Sequence, residues 1–179
     1  MKKDENIKEK FKQALISTVK AISEDFNYKN DEDKNNSSKN YNFFELDNLK
    51  NKYDFLKFRA ETDSEALKRK FSNKNIYLKK LPSKPTLKSL YNTSEKIRYE
   101  MLGTRMLKGI GKNLIENYNY KINLKRKDQL KSKEDTTIAE AFEIYMLKNF
   151  FEIKPNALCE KILSYWDDDF KNSFGKHLN

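Results

Sequence analysis

The residues best equipped for chemistry crowd into one stretch, LYNTSEKIRYEMLGTRMLKGIGKNL, residues 90–114. On a helix turning about 100° per residue, Glu95, Arg98, Leu102, Met106, Gly109 and Asn113 fall within a wedge of about 80°. An acid, a base, two flexible apolar side chains, a glycine and an amide in one strip suit recognition of a partner or substrate. The same spacing also suits an intrahelical Glu95–Arg98 pair of about 0.3–0.5 kcal/mol beside a packing seam. Both readings stand at this point. Glu100 and Gly103 add a carboxylate and a small residue to the same segment.

Signatures of the common catalytic classes are missing. No Gly-x-x-x-x-Gly-Lys-Ser/Thr loop is present to cradle a triphosphate. Gly109-Ile110-Gly111 lacks the preceding strand and third glycine of a dinucleotide fingerprint. There is no Gly-x-Ser-x-Gly elbow. Cys159 lies in an amphipathic pattern and reads as core, while the single histidine, His177, lies in the C-terminal tail. That pairing does not make a Cys–His nucleophile, and one histidine gives a transition metal almost no nitrogen ligands. Asp167-Asp168-Asp169 could hold a hard cation in principle. Three consecutive helical residues fan over about 200°, so a solvated face is the better reading. The expectation is no catalytic, cofactor-binding or metal-binding residue.

The elements that must position the strip are helical. Of 179 residues, 37% are hydrophobic and 36% charged, yet 12 Phe, 10 Tyr and one Trp are too many aromatics for a disordered chain. The length suits a single domain. No apolar run of about 20 residues exists to span a membrane, and no apolar signal region follows Met1-Lys2-Lys3. The expected location is therefore cytoplasmic. The pattern predicts an all-α fold of about five helices around a long central one. The first helix is expected over 4–23, with Ile7, Phe11, Leu15, Val19 and Ile22 as its stripe and Asp4 as cap. Residues 27–40, NYKNDEDKNNSSKN, read as a mobile polar loop between an N-terminal helix at 1–26 and a helical body at 41–179, all one domain. A second helix over 47–71 carries Tyr53, Leu56, Ala60, Leu67 and Phe71, with a gap at Asp63 and Ser64 where it could bend or break. After the Pro82 and Pro85 connector comes the central helix, 86–118, whose Gly103, Gly109 and Gly111 cost about 1 kcal/mol each relative to Ala. Close approach of a neighbouring helix, or termination at Gly109 or Gly111, would explain them. A basic linker, 121–133, precedes a fourth helix at 137–151, opened by a Thr137-x-x-Glu140 capping box. A fifth helix runs over 155–174, with Pro155 at its first position.

The net charge of +10 is unevenly placed. Residues 68–133 hold 19 basic and four acidic side chains, between flanks that are near neutral or acidic. This block suggests an acidic partner: phosphate, a polycarboxylate or an acidic protein segment. Only five basic residues are Arg against 32 Lys, which disfavours nucleic acid. Codon bias in an AT-rich genome would raise Lys and Asn, but would not concentrate the Lys.

Taken together, the motifs resemble the N-terminal domain of the CobT subunit of the aerobic, ATP-dependent cobaltochelatase. The family pattern E-x-x-R-x-E-x-x-G-x-x-x-M-x-G-x-x-x-N-L falls on Glu95, Arg98, Glu100, Gly103, the methionine region at Met106 to Lys108, Gly109, Asn113 and Leu114. Upstream, R-G-x-x-D-S-x-A-L is matched by Arg59, Asp63, Ser64, Ala66 and Leu67, with Ala60 in place of Gly. Phe11-Lys12-Gln13-Ala14-Leu15, Lys20-Ala21-Ile22 and Ile162-Leu163-Ser164-Tyr165-Trp166 look like three further family segments. The resemblance covers about 11–26 and 59–174. Where relatives carry two histidines after the A-L motif, this chain has Ser72 and Tyr77. No acidic linker or D-x-S-x-S adhesion motif follows, so the resemblance implies a truncated relative or the front part of a longer subunit.

The resemblance implies a non-catalytic subunit of a metal-chelatase ligase. An AAA+ partner would hydrolyse ATP, and a large subunit would hold the corrinoid during cobalt insertion into hydrogenobyrinic acid a,c-diamide. Cobalt and ATP would thus be handled by partners, with no cofactor in this domain. Glu95, Arg98, Glu100, Gly103, Met106, Gly109, Asn113, Arg59 and Asp63 are the partner-docking candidates. The basic block could meet the family's acidic linker or the corrinoid carboxylates. A basic helical nucleic-acid-binding protein and a generic helical interaction scaffold are the alternatives.

Overall fold

The stripe at Phe11, Leu15, Val19 and Ile22 does build a helix, α1 (Lys2–Ser23), with Leu15, Val19 and Ile22 buried. It begins two residues before Asp4, and Ile7 stays half exposed. The computed structural model describes residues 2–28, 49, 51–124 and 132–177. Most of the expected 27–40 loop and much of the 121–133 linker lie outside the described residues. Tyr28, however, is buried under the Arg69 guanidinium, 4.6 Å from its ring centroid, so an aromatic anchor stands at the start of that segment.

Eight α-helices and no strand appear among the described residues, so the all-α expectation holds and the count of five does not. After α1 come α2 (Lys52–Phe71), α3 (Lys74–Lys80), α4 (Pro85–Met106), α5 (Lys108–Asn123), α6 (Ile138–Phe151), α7 (Ala157–Ser164) and α8 (Asp167–Phe174). Asn51 caps α2: its side chain accepts from the Tyr53 and Asp54 amides, and the Asp54 carboxylate accepts from the Asn51 amide. The helix runs without a break through Asp63 and Ser64.

The expected central helix is two helices. Leu107 takes extended angles (φ −135°, ψ 103°), and α5 folds back onto α4. Two glycines just past Leu107 weaken a continuous helix there. The turn also lets Ile110, Leu114, Tyr118 and Ile122, spaced by four, all face the core. Gly111 permits the fold-back, because a Cβ on it would lie 2.7 Å from Thr104 Cγ2. A Cβ on Gly109 would meet nothing within 4 Å, so close packing explains Gly111 and Gly103 but not Gly109.

The expected fifth helix is likewise split at Tyr165–Trp166 into α7 and α8. Asn156 caps α7 by accepting from the Cys159 amide, which leaves Pro155 outside the helix. Thr137 caps α6 as expected, accepting from the Glu140 amide. Cys159 is fully buried. Two helices share the centre: α2 packs on α1, α4 and α5, and α4 packs on α2, α5 and α6. No described helix is long and apolar enough to cross a membrane.

Candidate functional site

The middle turn of α2 breaks the usual rule for helices that face a core. Thr62, Asp63 and Ser64 are consecutive polar residues, and each is at most 9% exposed. Buried polar groups must find partners, and here two find them on other helices. Ser64 Oγ donates to Glu100 Oε1 on α4, and Tyr118 Oη on α5 donates to Glu100 Oε2. Asn113 Nδ2 on α5 donates to Asp63 Oδ2 at 2.7 Å. Glu100 itself is 1% exposed. One turn further along, Gly103 receives the Leu67 side chain, and a Cβ there would lie 2.2–2.8 Å from three of its carbons. The motif at 59–67 and the motif at 95–114 are therefore two halves of one helix–helix lock.

A second cluster closes the end of α2. Arg98 donates through Nε and Nη2 to both oxygens of Glu95, at 2.7 Å each, and Nη2 also donates to the Phe71 carbonyl at 2.8 Å. Ser72 Oγ donates to Glu95 Oε1 at 2.6 Å. The bidentate fork fixes the guanidinium against the last carbonyl of α2, where the helix dipole favours a cation. The Glu95–Arg98 pair is intrahelical, as one of the two readings had it, and it also ties α4 to α2.

Electrostatics separates the carboxylates. Burial pushes the Glu100 carboxyl above its ordinary value, against the opposing pull of Lys96 and of the two hydroxyl donors. Burial and the neighbouring carboxylate raise the Tyr118 phenol as well. Burial raises Asp63, offset in part by Asn113 and Arg59. The bonds from Arg98 hold Glu95 below the usual carboxylate range despite its partial burial. Asn113→Ala would leave Asp63 without its amide donor, so a loss of about 1–2 kcal/mol in urea unfolding is expected. Asp63→Asn keeps an acceptor in place and should cost less; equal losses for the two would contradict the hydrogen bond as the cause.

Several concavities surround this lock. One of about 210 Å³ lies between α2, α4 and α5, lined by Ser64, Lys96, Glu100, Asn117 and Lys121 among others. Asn117 Oδ1 and Thr62 Oγ1 are buried without a partner among the described residues. A groove of about 250 Å³ lies between α4 and α6, lined by Ile97, Met101, Leu102, Met146 and Phe150 with Arg98 and Arg105. A cleft of about 560 Å³ lies between α2, α3 and α4 and contains Ser72 and Tyr77.

The expected wedge does not survive the break at Leu107. Glu95, Arg98, Leu102 and Met106 stay on α4, while Gly109 and Asn113 belong to α5. Glu100 and Gly103 are buried inside the fold. Asp63 is buried against Asn113, and Arg59 is exposed beside them. Met106 is 46% exposed. Ser64, Tyr118, Asn117 and Ser72 were not among the candidates. A sequence signal existed for Ser64: a polar triplet flanked by Ala60, Ala66 and Leu67 inside a helix marks buried polar pairing as readily as a bend. Among the described residues no group of three or more His, Cys, Asp or Glu is placed to hold a metal ion.

The family model described as cobalamin biosynthesis protein CobT matches residues 5–179. No curated protein and no solved structure gives a significant match.

Proposed function

The chain belongs to the CobT family of cobalamin biosynthesis proteins, and from that premise we propose that it is a docking domain of a cobaltochelatase. In this reading it holds an AAA+ ATPase subunit against the large subunit that inserts cobalt into hydrogenobyrinic acid a,c-diamide. The observation that carries the reading is an exposed apolar corner where α4 turns into α5. Leu102, Met106 and Leu107 are 37%, 46% and 40% exposed within one and a half helical turns. Leu102 also lines the α4–α6 groove, together with Met101 and Met146. Isolated exposed apolar residues are ordinary, but a contiguous set rimmed by charge is typical of an interaction site. Methionine side chains adapt to a partner's shape. Behind the corner, the Glu100 and Gly103 lock holds α4 rigidly on α2.

Arg98 is a poor probe of docking, because its guanidinium already holds Glu95 and the Phe71 carbonyl. Leu102→Asp with Met106→Asp is the better test, since both side chains point outward. Co-purification of this variant with the AAA+ and large subunits is expected to fall at least about tenfold, the range of central interface residues. Its circular dichroism and melting should match the parent. Undiminished complex formation would overturn the proposal.

A further inference from the structure

From Ala66 to Ser94 the chain carries eight cations and not one carboxylate. Arg69 pairs with Glu65, and Lys70 pairs with Glu24. Lys74, Lys79, Lys80, Lys84 and Lys88 are all exposed, with no ion-pair partner among the described residues. They surround α3, the one helix of this region with no buried residue. Its attachment is Tyr77, which donates to Asn92 Oδ1 and packs on the Tyr91 ring at 5.5 Å between centroids. A seven-residue helix does not hold together by propensity alone. Yet large aliphatic side chains stay exposed on both sides of α3: Leu78, 54% exposed, borders the cleft, and Ile76, 57% exposed, lies about 200° round the helix from it, with Leu87 at 48% on the first turn of α4. Leu78 and Tyr77 also line the 560 Å³ cleft against α2 and α4.

We propose that α3 and this cleft dock an acidic protein segment that carries apolar side chains. Glu65 and Glu95 also line the cleft, but Arg69 and Arg98 hold them, so the charge left without an ion-pair partner around α3 is that of its lysines, among which the aliphatic residues lie. A nucleic acid would be served by Arg and by aromatic stacking platforms, whereas the free cations here are all Lys and the exposed apolar groups aliphatic. A peptide with acidic residues and leucines that wraps α3 satisfies both halves: carboxylates meet Lys79, Lys80 and Lys84, one leucine enters the cleft beside Leu78 and another covers Ile76 on the far side of the helix. The inference does not depend on the chelatase reading, since this cleft shares no lining residue with the α4–α6 groove.

The test uses the full chain and a fluorescent synthetic peptide of alternating Glu and Leu pairs, followed by anisotropy. Binding should weaken as salt rises, because exposed charges are screened. Lys79→Glu with Lys80→Glu, and separately Ile76→Ser with Leu78→Ser, should each weaken binding at least about tenfold. These side chains are exposed, so the fold is expected to survive both changes, as circular dichroism would confirm. A peptide with Ser in place of Leu should bind about tenfold more weakly. An absence of peptide binding would overturn the proposal, as would indifference to the Ile76 and Leu78 changes. Tighter binding to an oligothymidylate of equal charge, or to phosphatidylserine vesicles, would reassign the surface to nucleic acid or membrane.

Discussion

Gly103→Leu should destabilise the domain by more than about 3 kcal/mol, the upper end of ordinary overpacking. Even a single Cβ at this position would fall 2.2 Å from Leu67 Cδ2 and 2.8 Å from Leu67 Cγ. The Cγ contact means that rotating the end of the leucine does not clear the space. Leu67 is 0% exposed, so any shift must push against other core side chains. Gly103→Ala pits this clash against a helix-propensity gain of about 1 kcal/mol. The clash should win, for a net loss of about 1–2 kcal/mol. Leu67→Ala alone should cost about 2–5 kcal/mol through its cavity. In the double variant Gly103→Ala with Leu67→Ala, the new methyl occupies part of that cavity, so the loss should fall short of the sum by about 1 kcal/mol or more. Urea unfolding of the four proteins measures this directly. Simple additivity would show that the two residues do not share one space.

Glu100 gives the second large effect. Glu100→Ala removes the acceptor for both Ser64 and Tyr118 and opens a void between three helices, so a loss of about 3 kcal/mol is expected. Glu100→Gln keeps the shape and lets each hydroxyl find a partner. Its effect should depend on pH. Burial raises the folded carboxyl above its ordinary value. A carboxyl with a raised folded pKa contributes stability fully present below the unfolded value and lost as pH rises through the folded one. Gln does not titrate. Relative to the parent, Glu100→Gln should therefore become progressively more stable as pH climbs above the ordinary glutamate value. Asp63, also raised, tilts the parent curve in the same direction, and it cancels in the comparison because both proteins carry it. Denaturation curves across about pH 4 to 8 give the difference. A constant difference would mean that Glu100 titrates as it does in the unfolded chain.

The two motifs were legible because both are dense in residue types that a plain amphipathic helix has no use for. Asp63-Ser64 interrupts an apolar stripe, and Gly103 stands in a helix that an alanine would favour. What they do was not legible. Periodicity assigns Asp63 and Ser64 to the seam of α2 but cannot say that Asn113, 50 residues on, and Glu100, 36 on, arrive to satisfy them. The docking strip was drawn on one uninterrupted helix. A single extended residue, Leu107, separates Asn113 from Glu95 and sends it to Asp63 instead.

By itself, then, the sequence determined the helical class, the apolar stripes, the caps at Thr137 and the basic block. These follow from local rules: side-chain spacing of 3.6, cap hydrogen bonds within one turn, and charge counting. Tertiary structure alone decided where α4 ends, which polar residues are buried, and which lysines surround a helix with no buried residue. Those depend on packing between segments far apart in the chain, where burial of Ile110, Leu114 and Tyr118 outweighs the hydrogen bonds lost by breaking one long helix at Leu107.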